Sequence, residues 1–540
     1  MKKILNLIYR IFAFTGLYLV PLLFLFIPHA IPSISTKQIL MLNAVLVAWT
    51  TFNNFWSVAC EGKPLDEIGI GDGLVPETGL RKESAQKRIA MYPKVPPELL
   101  SKEPEGIILG KYKNLYVREN LKETLHYCIL GAPGSGKTST IILDTLLANF
   151  ATRKNIFNVF AIDIKGELNQ KSIEAYSENV YVVNPDNRNT CGWDVYYRLR
   201  ESPSDDKITE AMKEISDGLV VSNNPKDSYF TENAKTALTG LLIYYFKQDE
   251  SFVDSINKIL ESDTASLITE IIKDSEPTDL WYKYLAKFNG KTAESVQDIF
   301  TQMCTTLSVF SKSNIRFCFR DNYQKASPYD LLKKKSVFLA ITEDKLESYK
   351  IIMRLLTTQV FRELERRPED EIDPMLLVID EFARLGALSG IDGALATLRS
   401  RRVNIMLCFQ SLAQCDYIYG KDLSRAIMGN MRVKIICECS DAETSRTISD
   451  WCGKYRDKKE TLNGGKNRHK SYSYEDKPIV EPDDLITLVK KEEEILIVSG
   501  SCAYLRPKKC YYFKDPKLKA LADKVKAYNK NQSEVNPNER

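Results

Sequence analysis

The sequence predicts an α/β domain, interrupted by an all-helical insertion and preceded by two membrane-spanning helices, on three observations. A glycine-rich stretch, GAPGSGKT (131–138), stands between a short apolar strand, HYCIL (126–130), and an apolar helical pattern, STIILDTLLANF (139–150). Further along, PMLLVIDEFARLG (374–386) reads as a buried strand ending in two acids. Two charge-free apolar runs, 11–27 and 39–58, lie near the start of the chain.

Strand, glycine loop and helix in that order are what a phosphate-binding loop requires. Gly131, Gly134 and Gly136 let the backbone curl round phosphates, and Ala132, Pro133, Ser135 and Ser139 complete the loop and its exit. The helix start adds partial positive charge at the same place. Lys137 is positioned to neutralise the β- and γ-phosphates, and the Thr138 hydroxyl to ligate Mg²⁺. The expected ligands are ATP and Mg²⁺.

The run 375–379 supplies the second half of such a site. Asp380 at its end is expected to hold Mg²⁺ with Thr138, and Glu381 to activate a water toward the γ-phosphate. A base beside the metal carboxylate points to hydrolysis rather than binding alone. The next strand, VNIMLCF (403–409), ends in Gln410 of QSLAQ, placed to bond the γ-phosphate or the attacking water. Between them, LRSRR (398–402) offers Arg399 and Arg401, with Arg402 less favoured. These arginines have two readings: a finger reaching a neighbouring subunit's site, or a basic face toward solvent or DNA.

Further strands are expected at 158–163, 179–184, 336–341 and 433–439, with 494–500 and 508–513 as a terminal antiparallel pair. Alternating strand and helix patterns indicate one α/β core. DIKGEL (163–168) begins at a strand end, so Asp163, Lys165 and Glu167 fall on the ligand-binding edge of the sheet. Residues 197–325 show helical periodicity throughout, as in 231–246 and 295–310. The domain reading is therefore an anchor at 1–60, a nucleotide-binding domain at 61–196 and 326–515, the helical insertion at 197–325, and a disordered tail at 516–540. The polar stretch 454–470 is read as a mobile loop, with DNA tracking as the sharper alternative.

Charge is uneven along the chain. Residues 201–298 carry 19 acids against 10 Lys, whereas 399–470 carry 15 Lys and Arg against 8 acids. The insertion is thus a poor phosphate-backbone contact and better suited to a protein partner. Three histidines and the absence of paired C-x-x-C spacing among 12 cysteines argue against a zinc site and for reduced thiols. Both apolar runs approach the length that spans a bilayer, about 20 residues. Lys2, Lys3 and Arg10 precede the first run, while the short linker holds one Lys, so both termini are expected on the cytoplasmic side. A cleaved signal peptide is the competing reading, and it leaves the second run unexplained.

The two apolar runs, GAPGSGKT, DIKGEL, the helical insertion, LLVIDEFARLG, LRSRR, QSLAQ with Tyr419–Gly420, EPDDL (481–485) and ILIVSG (495–500) occur in one order. In that order they resemble the type IV coupling proteins of conjugation and type IV secretion, over about 105–515. The resemblance implies a RecA-like P-loop NTPase, related to the FtsK and HerA pumps, working as a homo-hexamer at the inner membrane face. It implies DNA (a single-stranded transfer strand, or duplex), relaxase proteins and secretion-channel components as partners. The family's motifs carry onto Lys137, Thr138, Asp380, Glu381 and Gln410, and its substrate-recognition domain onto 197–325. The family often has a D-P-F-W-like stretch where this chain has DSYF (227–230). Two other readings remain open here: another DNA translocase or secretion assembly ATPase, and a membrane receptor holding nucleotide only as a structural ligand.

Overall fold

The apolar runs of the sequence pair into one nine-stranded sheet. The computed structural model describes residues 95–535, apart from 120–122, 153–156, 174–178, 202, 222–227, 370–372, 389, 440, 464–468, 486–492 and 500–502. The two apolar runs at 11–27 and 39–58 lie outside the described residues. Among the described residues no helix is long and apolar enough to cross a membrane.

In chain order, β1 (Ile107–Tyr112) and β2 (Leu115–Glu119) form a small antiparallel sheet with the two-residue strand Leu100–Ser101. Next come β3 (Tyr127–Leu130), a π-wound turn (Thr138–Ile142), α1 (Leu143–Phe150), β4 (Asn158–Asp163), α2 (Glu167–Ser172) and β5 (Val180–Val183). The insertion contains α3 (Asp205–Leu219), α4 (Ser228–Lys247), α5 (Phe252–Glu261), α6 (Thr264–Lys273) and α7 (Ala293–Leu307). The core resumes with β6 (Ser336–Ala340), α8 (Leu346–Glu365), β7 (Met375–Ile379), α9 (Ile391–Thr397), β8 (Val403–Phe409), α10 (Leu412–Asn430), β9 (Val433–Ile436) and α11 (Ala442–Cys452). The chain ends in β10 (Lys454–Asn463), β11 (His469–Pro478), β12 (Leu496–Ser499), β13 (Ala503–Leu505) and α12 (Pro516–Val535).

The sheet order is β13-β12-β9-β3-β8-β7-β4-β6-β5. Every pair from β9 to β5 is parallel; β12 is antiparallel to both of its neighbours, β9 and β13, so it alone runs the other way. Strands buried on both faces read as near-continuous apolar runs, as β3, β7 and β8 do with Asn404 the one polar residue among them. The two-residue period divides each strand between two cores. Tyr127, Ile129, Leu376 and Val378 join Ile141, Ile142 and Leu146 on the α1 face. Cys128, Leu130, Leu377 and Ile379 join the α8 face, whose core runs on into the insertion.

The insertion is helical because its turns are capped and its apolar stripes face inward. The side chains of Ser251 and Asp263 accept from Asp254 N and Ser266 N to start α5 and α6. Its neck is closed by a two-residue parallel pair, Gly192–Trp193 with Lys325–Ala326. Arg198 and Arg366 share Glu210, Glu214 and Glu363 between them, tying α3 to α8.

Three expectations need correction. The 454–470 stretch is not a structureless loop: β10 and β11 form a ten-residue antiparallel ribbon whose tip, 464–468, lies outside the described residues. Tyr455 and Asp457 are buried while Lys454 faces outward, so the strand period is present, masked by polar residues on both faces. Arg456 pairs with Asp476 across the ribbon, and Lys477 bonds Asp457. Of the tail, Pro516–Val535 forms α12. Leu518, Leu521, Ala522 and Val525 repeat at helical spacing and pack on Leu147 and Ala148 of α1. Asp515 caps that helix by accepting from Lys517 N and Leu518 N. Finally, the strand partner of β12 at the sheet edge is Ala503–Leu505, and the expected pairing of 494–500 with 508–513 is reduced to an isolated antiparallel bridge between Glu494 and Lys508. Residues 509–512 run past the glycine loop and its exit, with Lys509 bonding Ser135 O and Tyr512 N bonding Ser139 O.

Candidate nucleotide site

Because β3, β8, β7 and β4 are parallel, their carboxyl ends share one edge, where open α/β sheets bind ligands. Gly131–Thr138 leaves β3, Asp380 and Glu381 leave β7, Gln410 leaves β8 and Asp163 ends β4. The Gln410 strand, β8, lies between β3 and β7.

The loop is shaped by its glycines. A Cβ on Gly131 would fall 2.4 Å from Ser135 Oγ, and Gly136 holds φ +95, a conformation that L side chains rarely adopt. The N–H groups of Gly136, Lys137 and Thr138 have no backbone acceptor among the described residues. The buried Ser135 hydroxyl is also without a hydrogen-bond partner. Lys137 is buried, and its ammonium donates to the carbonyls of Gly131 and Ala132 inside the loop. Unpaired donors and a buried cation enclosing one space fit a polyphosphate.

Thr138 Oγ1 donates to Asp380 Oδ2 at 3.3 Å, bringing together the two oxygens expected to hold Mg²⁺. Burial pushes the Asp380 carboxyl above its usual range and Glu381 pushes it further, while Lys137, Lys165 and Thr138 pull it back. A divalent cation would relieve that cost. Asp163 is pushed up to about 6, chiefly by burial, against the backbone bonds from Asn169 and Leu168 that lower it. Glu167 pairs with Lys171 on α2 instead of entering the site.

Glu381 sits in the left-handed region, φ 57 and ψ 46, a strained place for a residue with a Cβ. Gln410 Nε2 donates to Glu381 Oε2 at 3.1 Å. The Gln410 backbone N–H in turn donates to Gln414 Oε1, and Gln414 Nε2 donates to Gln410 Oε1. A carboxylate only accepts, so this ring of bonds fixes which end of the Gln410 amide faces Glu381. Below, Phe382 lies against Phe409 and stacks on Tyr419, with centroids 5.7 Å apart. Tyr419 Oη donates to Gly386 O and accepts from Leu388 N, and Gly420 kinks α10 directly after it. The Tyr419–Gly420 pair noted in the sequence thus braces the turn carrying Glu381.

Arg399 and Arg401 lie at the opposite edge. They precede β8, and Arg402 O accepts from Met375 N at the start of β7. The strand between them and Asp380 spans five residues, roughly 16 Å at ~3.3 Å per residue. Arg401 is held by Thr397, Ser400 and Glu369. Arg399 is exposed and makes no ion pair among the described residues. Nearby His126 is buried and kept neutral, pushed down to about 4 by burial. It bonds Leu395 O through Nε2 and accepts from Ile405 N at Nδ1.

Sequence reasoning missed two features here. Gln414 stood inside QSLAQ, but spacing alone did not show that it faces Gln410. Lys509, whose ammonium donates to Ser135 O at 2.7 Å, was hidden in a stretch read as strand.

The family model described as "Type IV secretory system Conjugative DNA transfer" matches residues 82–535. The chain belongs to this family. Within it, the chain is 26% identical over 434 residues to the VirD4 protein of Agrobacterium fabrum (strain C58 / ATCC 33970), covering 74% of this chain and 60% of the relative. It is 21% identical over 302 residues to the conjugal transfer protein TraG of Rhizobium radiobacter, covering 52% of this chain and 47% of that protein. The chain therefore spans about three fifths of the length of the VirD4 relative. Among solved structures, the bacterial conjugative coupling protein TrwB lacking its N-terminal segment aligns with TM-score 0.58 at 15% identity, over 80% of this chain and 92% of that one. TrwB solved with the non-hydrolysable ATP analogue ADPNP aligns with TM-score 0.57 at 14% identity, over 80% and 93%. That likeness shows that the chain shares the α/β fold of TrwB over the aligned residues.

Proposed function

We propose that this protein is a membrane-anchored, DNA-dependent ATPase that feeds conjugative DNA and its attached pilot protein to a type IV secretion channel. The observation that carries the reading is the convergence of Lys137, the Thr138–Asp380 pair and the Glu381–Gln410 pair on one sheet edge. ATP bound with Mg²⁺ supplies a phosphoanhydride whose cleavage drives the motor. Lys137 and the loop N–H groups hold the phosphates, Thr138 and Asp380 hold the cation, and Glu381 accepts the proton of the attacking water. Gln410, bonded to Glu381, senses whether a γ-phosphate is present. A receptor using nucleotide only structurally has no need of a strained, oriented base at Glu381.

The placement of Arg399 supports a ring. It is exposed, free of ion pairs among the described residues and remote from its own Asp380, so it serves a neighbouring subunit's site in a homo-hexamer. Apolar runs 11–27 and 39–58 anchor each subunit with the motor on the cytoplasmic side. The helical insertion, acidic in sequence, receives relaxase-type protein substrates, and the basic β10–β11 ribbon meets DNA phosphates without sequence preference.

Lys137→Ala tests the reading in a donor cell. It abolishes DNA transfer while the chain still reaches the membrane at the wild-type level. Normal transfer by that variant refutes the proposal.

A further inference from the structure

The segment between β13 and α12 carries three consecutive aromatics, Tyr511, Tyr512 and Phe513, that divide their work. Tyr512 packs into two of the apolar cores, those beside α1. Tyr511 and Phe513 join none of the three cores. Tyr511 is half-buried, and Phe513 is 47% exposed. The two outward rings pack together with centroids 5.3 Å apart.

The pair is held against the glycine loop. Lys509 donates to Ser135 O at 2.7 Å, and Tyr512 N donates to Ser139 O at 3.4 Å. A Cβ on Gly136 would lie 3.4 Å from Tyr511 Cε1. Lys514 Nζ lies 4.6 Å from the Tyr511 ring centroid and bonds Glu493, which steadies the ring. One half-buried and one exposed aromatic with no core role, latched beside a phosphate loop, need a reason to be there.

The sheet order provides one. Asp380, Glu381 and Gln410 lie beyond β3 on the β8 and β7 side, so the γ-phosphate end of a bound nucleotide faces that way. The nucleoside end must then leave on the other side, past Ser139, toward β9, β12 and the 508–513 segment. We infer that Tyr511 and Phe513 form the subsite for the purine ring of the nucleotide. The inference rests on reading 131–138 as the phosphate site. Stacking on aromatic faces tolerates any base, so the subsite favours nucleotides over bare phosphates without separating adenine sharply from guanine.

The test is equilibrium titration calorimetry on the full-length chain in detergent with Mg²⁺, using ADP and inorganic pyrophosphate as separate ligands. Tyr511→Ala and Phe513→Ala each weaken ADP about tenfold and leave pyrophosphate unchanged, whereas Tyr511→Phe keeps wild-type affinity for both. Unchanged ADP affinity in both alanine variants overturns the inference. So does a parallel loss of pyrophosphate, because the rings would then serve only to hold the loop. Lys137→Ala separates this from the parent reading: it loses both ligands if the loop is the phosphate site, and retention of both overturns the phosphate site and the purine subsite together.

Discussion

Replacing Glu381 by Gln removes a charge while leaving the local geometry almost intact. Glu381 Oε2 accepts from Gln410 Nε2 at 3.1 Å, and a Gln carbonyl in the same place still accepts that bond. The bond changes from charge-assisted to neutral, a loss of about 1 kcal/mol. The strained backbone at φ 57 is unaltered, since both residues carry the same Cβ and stem. A compensating gain comes from Asp380, whose carboxyl is pushed up by burial and then by Glu381 itself. Without the neighbouring charge, Asp380 ionises more readily and holds Mg²⁺ at least as well. Nucleotide affinity is therefore kept or improved. The chemical step loses its base, which costs about 10²–10⁴ in rate, or roughly 3–5 kcal/mol of barrier. Single-turnover hydrolysis beside equilibrium nucleotide binding separates the two effects. Wild-type hydrolysis by Glu381→Gln, or a loss of binding as large as the loss of rate, refutes this reasoning.

Two further outcomes follow from the far edge of the sheet. If Arg399 acts across a subunit interface, Arg399→Ala alone loses hydrolysis by about 10³–10⁵, yet mixing it with Glu381→Gln subunits restores part of the rate. No recovery on mixing, or full activity in Arg399→Ala alone, excludes that role. His126 sets a pH dependence. Its folded-state value of about 4 lies below the ordinary value near 6.5, so the unfolded chain binds more protons between these limits and stability falls as pH drops through them. The loss reaches roughly 3 kcal/mol below pH 4, and urea unfolding of His126→Gln, measured beside wild type, lacks that component. Parallel curves for the two proteins contradict the assignment.

Where the sequence was legible, one local rule governed both pattern and structure. β3, β7 and β8 are buried on both faces, so their apolar runs were visible, and the acids and Gln at their ends fell on one edge once the strands paired in parallel. Illegibility had two physical sources. In β10 and β11 most side chains are polar on both faces, so the alternation that marks a strand is muted although Tyr455 and Asp457 turn inward. In 508–513 the run of Cys and aromatics suggested a strand but belongs to a segment that packs on the α1 core and bonds the glycine loop. The helix Pro516–Val535 was legible in principle, since its apolar spacing is helical, but its many Lys and Asn residues masked the stripe. Contacts between distant segments, such as Gln410 with Glu381 and Lys509 with Ser135, exist only after folding and leave no local trace.

The most direct test of the account is ATP hydrolysis by the purified full-length chain with and without single-stranded DNA. The expected result is a low basal rate that DNA raises severalfold, and loss of both rates in Lys137→Ala. Hydrolysis indifferent to DNA, or undiminished by Lys137→Ala, contradicts it.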